Sequence, residues 1–191
     1  MDLVFSDNNV RHTTITSLPS GQPVYRVSTT SSRILNSETA TIKKISESEN
    51  EELAQDIAIV KWHGLRDDTC RVRGRNVSPK HDKTFTTTKW FVASNGEKYS
   101  WKRSSNETVL RDQTKNIVAT HSRSPEDLHQ TKLSISQVGV PIVDDIVATF
   151  VLVEGRERKT EGASYASIST PVVAMDASSM AYTFSAANAG R

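Results

Sequence analysis

The sequence has little cysteine, glycine and proline, and this scarcity excludes several classes of protein. Cys70 is the single cysteine, so the chain cannot form an internal disulfide. Eight glycines and six prolines in 191 residues are too few for a collagen-like repeat or a low-complexity chain. Hydrophobic residues make up 36% and charged residues 24% of the chain, which is typical of one globular domain.

Long hydrophobic runs are also lacking. The longest, Ile146–Val153, is far shorter than the roughly 20 residues that a membrane-spanning helix needs. The opening residues, Met-Asp-Leu-Val-Phe-Ser, contain neither the basic region nor the apolar region of a secretory signal. We therefore expect a cytoplasmic protein that is not secreted, has no transmembrane segment, and is peripheral if it meets a membrane at all.

Short segments rich in β-branched and aromatic residues occupy residues 1–135 and are separated by turn-forming residues. This pattern predicts a mainly β protein, and so many short strands favour a sandwich or barrel. The acidic stretch Glu47–Glu52 is predicted to be a solvated loop or a short helical turn. The predicted strands are 2–6, 12–16, 23–29, 39–45, 57–62, 70–75, 84–93, 98–103, 109–112, 117–122 and 132–135.

Asn95 and Gly96 give the strongest local signal, because this dipeptide suits a two-residue type I′ hairpin turn. With that turn, Trp90 faces Trp101, Val92 faces Tyr99, and these side chains share the core face of the hairpin. Phe91 then lies on the opposite face among lysines. Together with helix residues, the predicted core includes Trp62, Trp90, Tyr99, Trp101, Ile146 and Phe150.

The pattern changes after Pro141, where apolar residues are too dense for one helix stripe and a strand is a real alternative. Charges at the two ends favour a helix at about 142–158, since Asp144 and Asp145 stand near its start and basic residues near its end. Such an apolar helix needs an enclosing sheet. Residues 160–191 are rich in Ala and Ser and poor in charge, which predicts a disordered tail after a domain spanning 1–159.

Several segments in this order and spacing resemble an uncharacterised domain family of unknown function that is abundant in mushroom-forming fungi. They include Pro23–Val27, Ile59–His63, Gly96–Lys102 and Asp144–Glu154. That family in turn resembles tubby C-terminal-like domains, which include the plant LURP-one-related and phospholipid scramblase proteins. The resemblance implies a closed antiparallel barrel of about a dozen strands around a C-terminal hydrophobic helix. No motif of a tubby phosphoinositide pocket or a scramblase calcium site matches, so the resemblance assigns no functional residue.

Catalytic and metal-binding motifs are not evident in the sequence. The five histidines show no zinc-ligand spacing, and no glycine-rich phosphate loop occurs. His63 and Cys70 are compatible with a base and a nucleophile, but a small buried strand residue is the favoured interpretation of Cys70. We therefore expect neither an enzyme nor a bound metal or cofactor.

The net charge is only +2, but the charge is unevenly distributed. Between residues 61 and 103 there are eleven basic residues and four acidic ones. Neighbouring strands can bring several of these cations to one outer face, which predicts a site for anionic lipid headgroups or an acidic protein. The alternative is a structural or protein-interaction domain without a ligand of its own. Nucleic acid is not an expected partner, since no recognition helix or RNA-binding motif appears. The candidate contacts are Arg71, Arg73, Lys89, Phe91 and Lys102.

Overall fold

The computed structural model describes residues 1–18, 20–32, 37–45, 54–64, 66–81, 88–104, 107–122 and 131–168. Thirteen strands form one antiparallel sheet, so the prediction of a mainly β protein is confirmed. The predicted loop at Glu47–Glu52 lies outside these residues. The strands are β1 (Asp2–Phe5), β2 (Thr13–Leu18), β3 (Gln22–Ser32), β4 (Ser37–Lys44), β5 (Gln55–His63), β6 (Thr69–Val72), β7 (Arg75–Asn76), β8 (Lys80–His81), β9 (Lys89–Val92), β10 (Lys98–Arg103), β11 (Glu107–Arg111), β12 (Ile117–Ser122) and β13 (Thr131–Ile135).

Each strand of this sheet is paired with the next one in the chain, except that β7 is not paired with β8. The order runs from β7 back to β1, and β1 then pairs with β13, from which the order runs back to β8. Strands β7 and β8 are therefore the two edges, although only residues 77–79 separate them in the chain. That link limits the distance between Asn76 and Lys80 to about 14 Å. We call this junction the seam; because no ladder crosses it within the described ranges, the predicted closed barrel is not confirmed.

One helix follows the last strand. A 3₁₀ helix at Gln137–Ile142, which contains Pro141, leads into α1 at Val143–Ile168. The predicted helix at 142–158 is therefore correct in type but too short. Residues 160–168, predicted to be disordered tail, continue the helix, and residues 169–191 lie outside the described chain. No helix in the described ranges combines the length and apolar character needed to cross a membrane.

The first half of α1 is buried around its whole circumference. Phe150 contacts Phe5 on β1, Trp101 on β10 and His121 on β12, with ring centroids 5.2 to 5.8 Å apart. These strands lie apart in the sheet order, so the sheet curves around the helix. This wrapping explains why the helix is apolar on every face. The apolar helix residues in this core are Ile146, Val147, Ala148, Phe150, Val151, Leu152 and Val153.

Two tryptophans attach the wall to the helix by hydrogen bonds as well as by packing. The indole N–H of Trp62 donates to the carbonyl oxygen of Leu152 at 3.0 Å. The indole N–H of Trp101 donates to Thr149 Oγ1, also at 3.0 Å. Both rings are buried, so these bonds satisfy polar groups that would be costly to leave unpaired.

Near its start, α1 bonds to both sides of the seam. The carboxylate of Asp145 accepts a bond from Arg75 Nη2 on β7 at 2.9 Å. Its other oxygen accepts the backbone N–H of Ser94, after β9, at 2.7 Å. Asp145 is almost fully buried, and so it joins the two sides where no backbone ladder does.

A similar arrangement recurs further along α1. Glu157 pairs with Arg103 on β10 at 2.6 Å and with Lys89 on β9 at 3.9 Å. The neighbouring Arg156 pairs with Asp68, between β5 and β6, at 3.5 Å. The helix therefore holds strands on both sides of the seam at two levels.

Gly155 provides a test of this packing. A Cβ atom there would lie 2.7 Å from Cζ2 of Trp62 and 3.3 Å from Nε of Arg11. Alanine in place of glycine normally stabilises a helix by about 1 kcal/mol. We expect Gly155→Ala instead to lower the free energy of unfolding by roughly 1–3 kcal/mol. The reason is that overpacking against the Trp62 ring outweighs the gain in helix propensity. Urea denaturation measures this change.

The matched control repeats Gly155→Ala in a Trp62→Phe background. In that background the smaller phenylalanine ring leaves space for the added methyl group. Gly155→Ala should therefore lower the free energy of unfolding by less than it does in the native protein. An increase in stability from Gly155→Ala alone would contradict the close approach.

Candidate functional site

The turn between β9 and β10 decides which residues face outward, and it is not the predicted one. Ala93 donates its backbone N–H to Glu97 O at 2.9 Å, and Gly96 donates to Ala93 O at 3.0 Å. The loop therefore has three residues, ending at Gly96 with a φ of +82°. As a result Tyr99 pairs with Phe91, one residue away from the predicted register.

This shift places the side chains of β9 on the faces opposite to those predicted. Phe91, expected on the outer face, is 1% exposed in the core, where it stacks on Tyr99 with centroids 6.0 Å apart. Trp90, expected in the core, lies on the outer face and is only partly buried. Val92, also expected on the core face, is 44% exposed. A slip of one residue moves every side chain of a strand to the other face, which accounts for all three errors. Trp62, Tyr99, Trp101, Ile146 and Phe150 are buried.

The outward side chains of β8, β9 and β10 form a basic surface around Trp90. Lys98 Nζ lies 4.2 Å from the ring centroid of Trp90, and Lys80 Nζ lies 5.9 Å from it. Val92, paired with Lys98 and 44% exposed, adds an apolar side chain. Lys102 extends the surface along β10 and is exposed. We call these five residues, Lys80, Trp90, Val92, Lys98 and Lys102, the basic-aromatic face.

The cations of this face differ from the other basic residues in their partners. Within the described ranges no carboxylate forms an ion pair with Lys80, Lys98 or Lys102. Both lysines beside Trp90 instead point toward its ring, a contact that attracts cations through the electron-rich ring face. Glu107 is an acidic residue on the outward side of neighbouring β11, at the start of that strand. The face is therefore a concentration of positive charge whose lysines have no acidic partner among the described residues.

The other predicted contacts do not join this surface. Arg71 is exposed on β6, on the far side of the seam. Arg73 bonds to Asp144 at 2.8 Å, and Lys89 points inward to Glu157. Of the five predicted residues, only Lys102 belongs to the basic-aromatic face.

Arg73 is misplaced for a local reason. The predicted strand 70–75 is interrupted by a two-residue turn, because Val72 pairs with Arg75 across Arg73 and Gly74. Both turn residues have positive φ, 49° and 80°, as a type I′ turn requires. An arginine in this conformation is uncommon, and its bond to Asp144 offsets part of the strain.

Asp144, at the start of α1, accepts hydrogen bonds from three side chains that lie on β3, on β4 and in the turn between β6 and β7. Tyr25 Oη donates at 2.7 Å, Lys44 Nζ at 3.1 Å and Arg73 Nη2 at 2.8 Å. Burial raises the pKa of the Asp144 carboxyl, but these hydrogen bonds outweigh it, and the pKa is lowered overall. Burial beside the Asp144 charge raises the pKa of Tyr25. Both groups are thus fixed as phenol donor and carboxylate acceptor at neutral pH.

Other titratable groups lie in the core, away from the basic-aromatic face. Cys70 is buried on β6, and burial raises the pKa of its thiol, so the thiol is protonated at neutral pH. A buried pair that the sequence did not suggest, His121 and Glu154, has Nε2 and Oε1 4.0 Å apart. His121 Nδ1 also lies 3.0 Å from Lys132 O. The described residues contain no group of three or more histidine, cysteine, aspartate or glutamate side chains suited to a metal ion.

Comparison with known sequences identifies the family. A sequence model for a family of unknown function, DUF6593, matches residues 8–159, which include the whole wall from β2 and the buried part of α1. The chain belongs to that family. Comparison of this DUF6593 chain with curated proteins and with solved structures found no match. Membership confirms the predicted resemblance at the level of a domain of unknown function.

Tryptophan fluorescence tests the hairpin register. Trp62 and Trp101 are each 1% exposed, whereas Trp90 lies on the outer face. We expect Trp90→Phe to remove most of the emission that acrylamide can quench, and Trp101→Phe to leave it in place. Quenching that survives Trp90→Phe unchanged would contradict the register.

The lowered pKa of Asp144 predicts a pH dependence of stability. Because its folded pKa is below the unfolded value of about 4, its contribution is complete above that pH and is lost as pH falls through the folded pKa. The difference in unfolding free energy between the native protein and Asp144→Asn should therefore be largest near neutral pH and shrink in acid. Urea titrations at several pH values measure this difference.

Asp56→Asn is the matched control. Asp56 is exposed, and its Oδ1 lies 3.7 Å from Nζ of Lys43, which is also exposed. Its effect should be small at every pH. A difference for Asp144→Asn that does not vary with pH would count against the hydrogen-bonded carboxylate.

Proposed function

We propose that this chain is a non-catalytic binding module that meets anionic lipid headgroups through the basic-aromatic face. The observation that carries the proposal is the group Lys80, Trp90 and Lys98, in which two lysines without an acidic partner among the described residues flank an outward tryptophan. Such a group offers two cations and a partly exposed ring to a partner.

The combination of residue types favours a membrane surface over other acidic partners. Each basic residue near an anionic membrane contributes about 1 kcal/mol of attraction. Tryptophan suits the headgroup region because its ring is apolar while its N–H needs a polar partner. The exposed Val92 beside Lys98 adds apolar area that would gain nothing from a free phosphate or nucleic acid. A cytoplasmic, peripheral location follows from this proposal.

The finer description of the fold belongs to the same proposal. Consecutive antiparallel strands curved around one helix support a barrel-like wall of the tubby C-terminal-like kind. The likeness concerns architecture, and fold does not imply function. The second candidate, a structural or protein-interaction domain without a ligand, is favoured by the use of Arg73, Arg75 and Lys89 inside the fold.

Vesicle co-sedimentation separates the two functions. The protein is mixed with phosphatidylcholine vesicles that contain phosphatidylserine or lack it. The lipid-binding proposal expects binding only to the anionic vesicles at low salt. The double variant Lys80→Glu/Lys98→Glu should weaken that binding by roughly a hundredfold, since it replaces two attractions with repulsions.

The control variant Lys61→Glu/Arg71→Glu makes the same change of charge on the outer surface across the seam. It should weaken binding much less. Failure of the native protein to bind anionic vesicles, or equal losses for both variants, would favour the structural alternative.

A further inference from the structure

The basic-aromatic face continues along the ends of neighbouring strands toward the start of α1. The pairing of β10, β11 and β12 brings Arg111 beside Ser100 and Ile117 beside Arg111. Lys98 and Val92 end their strands on the same side. Val138 lies next to this edge, because Ser136 donates its N–H to Val118 O at 2.9 Å. We call Val92, Lys98, Arg111, Lys115, Ile117 and Val138 the crest.

The crest exposes an unusual amount of apolar surface for this molecule. Val138 is 66% exposed, Ile117 is 50% exposed and Val92 is 44% exposed. Single exposed apolar residues are ordinary, but these three lie at one end of the sheet: Val138 lies near β12, which begins at Ile117, and Val92 lies three strands away on β9. By comparison, Ile59, also 44% exposed, lies on β5 across the seam from the crest.

Basic residues lie between Val92 and Ile117 along this edge. Lys98 and Lys115 are exposed, and Arg111 donates to the carbonyl oxygen of Lys115 at 2.8 Å. Two acidic residues lie close by, Asp112 and Glu97. Asp112 accepts bonds from Thr114 and Asn116 within its own turn, and Glu97 accepts a bond from Tyr99. These hydrogen bonds leave both carboxylates charged, so the three basic residues of the crest exceed the two neighbouring acidic residues by one charge.

We propose that the crest enters the boundary between headgroups and acyl chains, with Ile117, Val138 and Val92 inserted and the three basic residues at headgroup level. This inference rests on the proposed lipid-binding function and adds an orientation to it: the end where α1 starts faces the membrane. Exposed apolar side chains beside basic ones favour partial insertion into an anionic bilayer. Binding should then have an apolar component that salt does not screen.

The experiment uses the full chain and phosphatidylcholine vesicles containing phosphatidylserine, at about 0.1 M and about 1 M salt. Ile117→Ser/Val138→Ser should weaken binding by roughly tenfold at both salt concentrations, because two apolar side chains no longer leave water. Ile59→Ser is the matched control and should leave binding unchanged. Circular dichroism and urea denaturation of each variant report whether it is folded.

A second readout uses Trp90, the tryptophan on the outer face. Lipids brominated near the headgroup end of the acyl chain should quench its emission in the native protein and less in Ile117→Ser/Val138→Ser.

The outcomes distinguish the two proposals. Binding that disappears entirely at high salt and is unaffected by Ile117→Ser/Val138→Ser would overturn insertion while leaving electrostatic lipid binding intact. Absence of binding by the native protein at low salt would overturn both. A tenfold loss in Ile59→Ser as well would overturn the assignment to the crest.

Discussion

The complete burial of the first half of α1 is the constraint on which the rest of the structure depends. A helix that is apolar on every side must be covered on every side, and in this chain one curved sheet provides the cover. The wall therefore has to bring its two edges close together. Where backbone pairing stops at the seam, Asp145 of the helix bonds to both sides, while Arg156 and Glu157 bond to one side each. The helix is thus the core of the domain, and its side chains also link the two edges of the sheet.

This arrangement divides the cations of the basic segment into two groups. Arg73, Arg75 and Lys89 bond to carboxylates near the ends of the buried helix segment and are used to assemble the fold. Lys80 and Lys98 face outward around Trp90 and have no such bond among the described residues. Charge counted along the sequence cannot distinguish these groups. The proposed binding surface consists of the cations that the helix does not use.

Most of the architecture was predictable from residue patterns, because strands with clear alternation lie where expected; β10 and β12 coincide with their predicted bounds. The register of the β9–β10 hairpin was not predictable. Trp90, Phe91, Val92 and Ala93 are apolar on both faces of the strand, so the pattern fits two registers, and only the three-residue loop selects one. The candidate site depended on that choice, and so it was predicted less well than the fold. The turn at Gly74 was missed because arginine rarely adopts positive φ.

The pairing of β1 with β13 has a consequence for how the chain acquires its structure. Strands β1–β7 and β8–β13 each form by successive local hairpins, which close quickly because their partners are near in sequence. The contact between β1 and β13 spans more than a hundred residues, and α1 follows β13. During synthesis the first half therefore leaves the ribosome with an apolar inner surface and no helix to cover it. Folding is expected to finish only when the last described element arrives, so truncation before α1 should yield an aggregation-prone sheet.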